Sequence, residues 1–296
     1  MVGMLVDLRH QWIGISLLVA NAACGASSPA AIDGAIADDA AAIDAAIDAP
    51  RGLVCGGQPL CENFDTLATG TLANNATIGG FRADVQPGGA LAIDTTRAYS
   101  GTHSLKAHID GGGGGGGRLW ASGGALFAPT RRHLYGRFMM WNANDASSIH
   151  WTLFGASGVV PAGSPSSGHT TTYLFSAADD KKFMAVFYDN QTQQDCWNHA
   201  TEPVPVATAT DHWTCVAFEA DAEAIHYRMS LDGRAISTFS VDTTGQGCLN
   251  AAGTTPWYGP AFSQFYLGAM SFHPMSGPLD VWFDDLVVDT VPVSCP

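Results

Sequence analysis

The chain has 296 residues, of which 46% are hydrophobic and only 14% are charged, and its formal net charge is −14. The apolar content is ample for a sizeable core, whereas an acidic chain without a dense Lys/Arg stripe is poorly suited to binding phosphate backbones. We therefore predict no nucleic-acid partner. The 34 glycines and 15 prolines, with few charged helix formers, favour strands and loops over helices.

Residues 1–23 have the pattern of a signal peptide. Arg9 precedes an apolar run from Trp12 to Ala23 that is too short to span a bilayer comfortably. Small residues then precede Cys24, and this site resembles a bacterial lipoprotein processing site, which implies lipidation of Cys24. Ordinary cleavage without a lipid is the alternative. We predict an extracellular or cell-envelope protein that reaches a membrane only through an N-terminal lipid anchor.

Residues 24–52 form a low-complexity acidic segment that is rich in Ala and Asp. The segment contains no aromatic residue and cannot bury enough apolar surface to offset the entropy lost on folding. We interpret it as a linker, and we place the folded domain at residues 53–296.

Six cysteines follow this linker: Cys55, Cys61, Cys196, Cys215, Cys248 and Cys295. An even number of cysteines in an exported chain is typical of disulfides formed in an oxidising compartment. The sequence leaves their pairing open. No C-x-x-C pair is present, so a structural zinc site is not expected.

After the linker, short apolar runs of strand length alternate with Gly, Asn, Asp and Pro. Examples are Leu134–Trp141, Thr171–Ser176, Phe183–Tyr188 and Trp213–Phe218. The dipeptide Asp232-Gly233 between two such runs predicts a tight hairpin. Many strands at regular spacing indicate an all-β fold, an antiparallel β-sandwich or jelly roll. The seven glycines at 111–117 are interpreted as a flexible loop without a nucleotide site.

Four passages carry a resemblance to a known superfamily. Cys61–Asp65, Tyr99–Leu105, the stretch from Trp213 to Gly233, and Val281–Val288 are similar, in this order, to concanavalin-A-like jelly rolls. Within that superfamily the pattern resembles the Cip1-type core, which is related to glucuronan and alginate lyases. The resemblance implies a polysaccharide partner and, as the leading hypothesis, β-elimination at a uronic acid. A non-catalytic carbohydrate-binding domain and a protein-interaction sandwich are the alternatives.

The resemblance also implies a structural Ca²⁺ that ties the first strand to the last. Calcium requires six to eight oxygen ligands. Carboxylates of Glu62 and Asp285, with oxygens of the Ser100–His103 turn, are the expected ligands. Because side chains alternate along a strand, only one of Asp284 and Asp285 is expected to face such a site. Merely solvated acids at strand ends are the alternative.

β-Elimination needs a partner for the substrate carboxylate, a base for the C5 proton and an acid for the leaving oxygen. Ser148-Ile149-His150 is similar to the Gln-Ile-His of alginate lyases, and this makes His150 a candidate. The other candidates for catalysis are Arg118, Arg137, Tyr188 and Tyr266. Strand alternation places His150 on the face opposite a large apolar set and places Arg137 and Trp141 on one face of the preceding strand. The resemblance implies that the face of His150 is the concave one that carries ligand. If Arg137 and Trp141 share this face, the three side chains meet in one groove.

A binding module needs only flat apolar surfaces with polar edges, for which Trp141 and Trp197 are the candidates.

The alternating acids Glu219, Asp221 and Glu223 offer a weaker glycosidase hypothesis, because two carboxylates are what glycoside hydrolysis requires. We expect those three residues to form a turn instead.

Overall fold

A strand with one apolar face is stable only when that face is buried. In this protein two sheets pack face to face and bury the apolar faces of their strands. The computed structural model describes residues 53, 55–112, 114–144, 151–179, 182–200, 209–238, 246–250 and 257–296. The predicted signal peptide, the lipidation site Cys24 and the linker lie outside these residues, and so does His150. Among the described residues, no helix is long and apolar enough to cross a membrane.

The described residues form eighteen strands and one 3₁₀ turn, Ala125–Phe127. The first nine strands are β1 (Leu60–Glu62), β2 (Gly70–Thr71), β3 (Thr77–Ile78), β4 (Phe81–Gln86), β5 (Gly89–Asp94), β6 (Ser104–Ile109), β7 (Gly115–Ser122), β8 (His133–Asn142) and β9 (Trp151–Val159). The others are β10 (Thr170–Asp179), β11 (Lys182–Asp189), β12 (Gln194–His199), β13 (Thr214–Asp221), β14 (His226–Leu231), β15 (Arg234–Thr238), β16 (Gly247–Leu249), β17 (Ala261–Ser271) and β18 (Leu279–Asp289).

These strands build two antiparallel sheets. Sheet A has the order β15-β14-β13-β8-β18-β6-β5-β2, with β1 paired to β18, and sheet B has the order β16-β12-β11-β10-β9-β17-β7-β4-β3. The predicted antiparallel β-sandwich of the jelly-roll type is thus confirmed. Asp232 and Gly233 have φ of 49° and 75° and join β14 to β15, as the hairpin prediction requires.

The core lies between the inner faces of the two sheets. Phe138 of sheet A contacts Phe154 of sheet B edge to face, with ring centroids 5.1 Å apart. Both side chains are fully buried, and from His133 to Phe138 half-buried residues of β8 alternate with buried ones.

The glycine run is only in part the loop that the sequence predicted, since of its described members Gly111 and Gly112 lie in a turn before β7. Gly115, Gly116 and Gly117 begin β7, and the first two have φ of 120° and 132°. A Cβ atom on Gly116 would lie 2.1 Å from the carbonyl oxygen of Ala269. The glycines therefore permit a close approach between β7 and β17, a packing role that composition alone does not reveal.

Six cysteines form three disulfides, Cys55–Cys61, Cys196–Cys248 and Cys215–Cys295. This confirms the predicted disulfides and resolves the pairing that the sequence left open. Disulfides persist in oxidising compartments, so the three bonds indicate an extracellular location.

Candidate functional site

A cleft of about 530 Å³ opens on the outer face of sheet B. Its lining is rich in hydroxyl, amide and aromatic groups: Arg118, Trp120, Thr152, Ser157, Thr172, Leu174, Val186, Tyr188, Asn190, Asp195, Gln264, Phe272 and His273. A concave surface with an apolar floor and several converging polar groups is the usual form of a ligand site.

Strand pairing aligns part of the lining in a row across the sheet. Tyr188 of β11 is the register partner of Asp195 in β12 and of Thr172 in β10. Ser157 of β9 continues the row beside Thr172, and Gln264 of β17 pairs with Ser157. Directly opposed residues of an antiparallel pair share one face, so the row presents neighbouring hydrogen-bonding groups to the cleft.

The floor of the cleft is apolar. Leu174, Met184, Val186 and Tyr266 form a buried cluster outside the main core, and Trp120, Tyr188 and Trp197 pack against it. Tyr266 is fully buried, and this burial raises the pKa of its phenol, an effect that the nearby charge of Arg118 partly offsets. Tyr266 and Trp197 therefore support the cleft from below.

Arg118 is held in a charged and aromatic cage at the β7 side of the cleft. Its Nη2 donates to Asp84 Oδ2 at 2.6 Å, and its Cζ lies 4.9 Å from the ring centroid of Tyr266 and 6.0 Å from that of Phe272. Burial alone would raise the pKa of Asp84, but the hydrogen bond and charge of Arg118 outweigh it and lower that pKa. Asp84 thus balances the charge of Arg118.

Tyr188, Asp195 and His273 are the acid–base groups of the cleft. The Tyr188 hydroxyl donates to Gln193 Oε1 at 2.5 Å. Burial, followed by the charges of Asp195 and Asp189, raises the pKa of Tyr188, which keeps the phenol protonated at neutral pH. Burial also raises the pKa of Asp195, and the charge of His273 opposes this. A protonated phenol beside a half-buried carboxyl group is suited to proton transfer.

The turn after Tyr188 is fixed by a buried carboxylate. Asp189 accepts hydrogen bonds from the Tyr258 hydroxyl and, at 2.8 Å, from His169 Nδ1. It also accepts from the backbone N–H groups of Gln191 and Thr192. Burial would raise the pKa of Asp189, but these donors outweigh it and lower that pKa to about 2. The Tyr188–Gln193 contact therefore rests on an anchored turn.

The predicted site residues are divided between the two sheets. Arg137 and Trp141 lie on β8 in sheet A, whereas Arg118 and Tyr188 lie on sheet B. Neither Arg137 nor Trp141 lines the cleft, and because His150 lies outside the described residues, a groove that joins the three stays a prediction. Alternation along a strand fixes inward and outward faces, but it does not determine which sheet the strand joins. Trp141 instead packs against Arg97, whose Cζ lies 4.4 Å from its ring centroid.

The predicted calcium ligands lie where the first and last strands meet. Glu62 pairs with Leu286, and the Ser100 hydroxyl donates to Asp285 Oδ1 at 2.7 Å. His103 donates its backbone N–H to Asp65 Oδ1 at 3.0 Å rather than pairing with Glu62 or Asp285. Within the ranges that the structure describes, no three His, Cys, Asp or Glu side chains are grouped to hold a metal ion.

A bulge changes how the two adjacent aspartates are arranged. The β18 register shifts between Asp284 and Val287, and Asp285 has a φ of 48°. Asp284 accepts the backbone N–H groups of Tyr99 and Ser100, while Asp285 accepts the Ser100 hydroxyl. Both acids therefore face one segment, which corrects the expectation from strand alternation. Burial and then the charge of Asp285 raise the pKa of Asp284 to about 7.

The alternating acids of the glycosidase hypothesis are also on sheet A. Glu219 and Asp221 belong to β13 rather than to a turn, so that expectation was wrong for these two. Glu219 is occupied by His133 Nε2 at 2.9 Å and Arg228 Nη1 at 3.1 Å. These contacts give the carboxylate a structural role on the face opposite the cleft.

Sequence reasoning missed Asp195, His273, Phe272 and Asp84. Asp195 could have been predicted from the sequence. A hairpin with its turn at residues 190–193 makes Tyr188 and Asp195 cross-strand partners. His273 and Phe272 follow β17 and reach the cleft only through the tertiary fold.

A family model described as Polysacc_lyase-like, Cip1-like core domain, matches residues 73–291. The solved structure of the cellulose induced protein Cip1 is 16% identical, covers 73% of this chain and 94% of its own, and gives a TM-score of 0.47. Alginate lyase vAL-1 from Chlorella virus is 12% identical, with 72% and 94% coverage and a TM-score of 0.48. No curated protein sequence matches.

Proposed function

The chain belongs to the polysaccharide lyase-like family with the Cip1-like core domain, and on this basis we propose that its cleft binds a polysaccharide and cleaves it at a uronic acid by β-elimination. The observation that carries the proposal is the joint presence of Tyr188, Asp195, His273 and Arg118 in one cleft. Family membership supports a polysaccharide-active domain, and these groups support proton-transfer chemistry within it.

The roles follow from charge and position. The Tyr188 phenol is protonated at neutral pH, so it serves as the acid for the leaving oxygen once the substrate replaces Gln193 as its hydrogen-bond partner. The His273 imidazole is the base that the described cleft supplies, and His150 remains the predicted alternative. Arg118 has further N–H donors beyond the one that Asp84 accepts, and these suit a substrate carboxylate.

Phe272 adds a binding surface. It is 55% exposed, which is unusual for so large an apolar side chain, and it lies on the cleft rim near Arg118. An exposed aromatic ring beside hydroxyl and amide groups suits stacking against a sugar ring. Affinity for polysaccharide is therefore expected to fall in a Phe272→Ala variant.

The test is to incubate the protein with a panel of uronic-acid polymers and follow the ultraviolet absorbance of the unsaturated product. Tyr188→Phe removes a single oxygen atom, so it should lower kcat by about 10²-fold or more while binding persists. Tyr135→Phe, which removes the same atom from a tyrosine of β8 in sheet A, away from the cleft, is the matched control. Turnover by Tyr188→Phe at the parent rate would contradict the assigned role.

The second candidate is a non-catalytic carbohydrate-binding domain. It is favoured by the Arg118–Asp84 pair, because a balanced guanidinium offers less attraction to a substrate carboxylate. This hypothesis predicts polysaccharide binding by the parent protein without any unsaturated product, and only weaker binding after Tyr188→Phe.

Structural calcium is a further proposal. Glu62, Ser100 and Asp285 supply oxygen atoms where β1 meets β18, and such atoms suit a hard divalent cation. Asp284 and Asp285 are both buried, and burial followed by the charge of Asp285 raises the pKa of Asp284. Bound there, Ca²⁺ would neutralise these acids at the junction of β1 and β18.

Export through the predicted signal peptide and lipid attachment at Cys24 are likewise proposed, and the three disulfides support export.

A further inference from the structure

Asp195 differs from the other charged groups of the cleft. Within the described part of the chain, its carboxylate accepts no hydrogen bond, whereas Asp84 accepts from Arg118, Trp120 and Gln86. Asp195 is nevertheless half-buried, and it lies on the row that begins beside Tyr188. A desolvated carboxylate without protein donors has unused capacity to accept hydrogen bonds from a ligand.

The charges divide the cleft into two sides. Asp195 lies on β12 and Arg118 on β7, which are separated by four strands in sheet B. Arg118 is paired with Asp84, so Asp195 is a carboxylate of the cleft lining with which no arginine or lysine of that lining pairs. Phe272 and Trp120 stand near Arg118 at the other side.

These two sides accept different chemical groups. A ligand carboxylate placed over Asp195 would meet a like charge in a partly desolvated site, and such juxtapositions reduce affinity strongly. A hydroxyl or amide N–H at the same place would instead donate to the unused acceptor. In this arrangement one sugar lies over Asp195 and the uronate lies toward Arg118. Tyr188, which lies next to Asp195, would then protonate the oxygen atom that joins these two sugars.

We infer that Asp195 is a specificity-determining residue that excludes a uronate from its side of the cleft, so that the substrate is a heteropolysaccharide in which a uronic acid is joined to a neutral or N-acetylated amino sugar. This inference rests on the proposed function. It distinguishes such polymers from homopolymers of uronic acid, in which every sugar carries a carboxylate.

The test measures binding by calorimetry, separately from turnover, with two probes. One is a polymannuronate, and the other is a polymer that alternates glucuronate with an N-acetylated amino sugar. The parent protein should bind the alternating polymer at least about ten-fold more tightly than polymannuronate. Asp195→Asn should remove most of this difference in affinity, because it should improve the binding of polymannuronate. A higher salt concentration should also reduce the difference in affinity between the two polymers in the parent protein.

Asp211→Asn is the matched control, because Asp211 is an exposed carboxylate beside the end of β8 in sheet A and its loss changes the net charge equally. Melting curves verify that both variants fold. Equal binding of the two polymers by the parent, or an equal effect of Asp195→Asn on both, would overturn the inference. Cleavage of polymannuronate at least as fast as the alternating polymer would overturn it while leaving the proposed function intact. Binding to neither polymer would overturn both.

Discussion

Replacing Asp189 by Asn should make the stability of this protein less dependent on acid pH. Asp189 is fully buried, and its pKa is lowered from 3.8 to about 2 by four hydrogen-bond donors that outweigh its burial. A difference of this size corresponds to about 2 kcal/mol of folding free energy. Because the pKa in the folded state is depressed, this contribution is present above about pH 4 and is lost as the pH falls toward about 2.

The Asn variant is chosen because it keeps the shape of the side chain. Its amide oxygen can still accept the N–H groups of Gln191 and Thr192, and its NH₂ group can donate to the Tyr258 oxygen. The charge-assisted part of the network is lost. We therefore expect the variant to be about 2 kcal/mol less stable at neutral pH, with the difference shrinking toward zero near pH 2.

Urea unfolding of the disulfide-intact protein at several pH values between about 7 and 2 measures this difference. Other carboxylates titrate in both proteins and cancel in the comparison. Asp211→Asn serves as an exposed control and should show a negligible difference throughout. A stability gap that stays constant from neutral to acid pH, or that is absent at neutral pH, would refute the role assigned to the Asp189 network.

Three other predictions concern packing, metal and anchoring. Gly116→Ala should destabilise the fold by about 3 kcal/mol, because the new Cβ would meet the Ala269 carbonyl and φ is 132°, whereas Gly112→Ala meets open space and should be nearly neutral in thermal melts. Ca²⁺ should raise the melting temperature and EDTA should lower it, with Glu62→Ala removing the response; identical curves in all cases would rule the site out. Mass spectrometry of the mature N-terminus should find a lipid on Cys24, and an unmodified Cys24 would contradict this.

Much of the fold could be predicted because its signals are local. Runs such as Leu134–Trp141 have the length and the residue types of a strand, and both signals are local; in the structure this run lies in β8. The Asp232-Gly233 turn is equally local, since both residues tolerate positive φ. The β class and the β14–β15 hairpin were therefore accessible without tertiary information.

The candidate site was only partly accessible. Arg118 and Tyr188 were identified by residue type and both line the cleft, but Arg137 does not. The reason is that consecutive strands change sheets: β7, which carries Arg118, joins sheet B, and β8, which carries Arg137, joins sheet A. No local pattern records such a change, because the outward face of a strand has the same sequence pattern in either sheet.

The amino-acid sequence by itself determined the strand content, the β14–β15 hairpin and the six cysteines available for disulfides. The tertiary structure decided which outward faces adjoin, how the cysteines pair, and where alternation fails. It brought Phe272 and His273 from beyond β17 to the cleft, and it placed a bulge at Asp285 that turns two successive acids toward one segment. These features depend on long-range strand order and on local departures from ideal pairing, whose free energies are set by contacts between residues far apart in the chain.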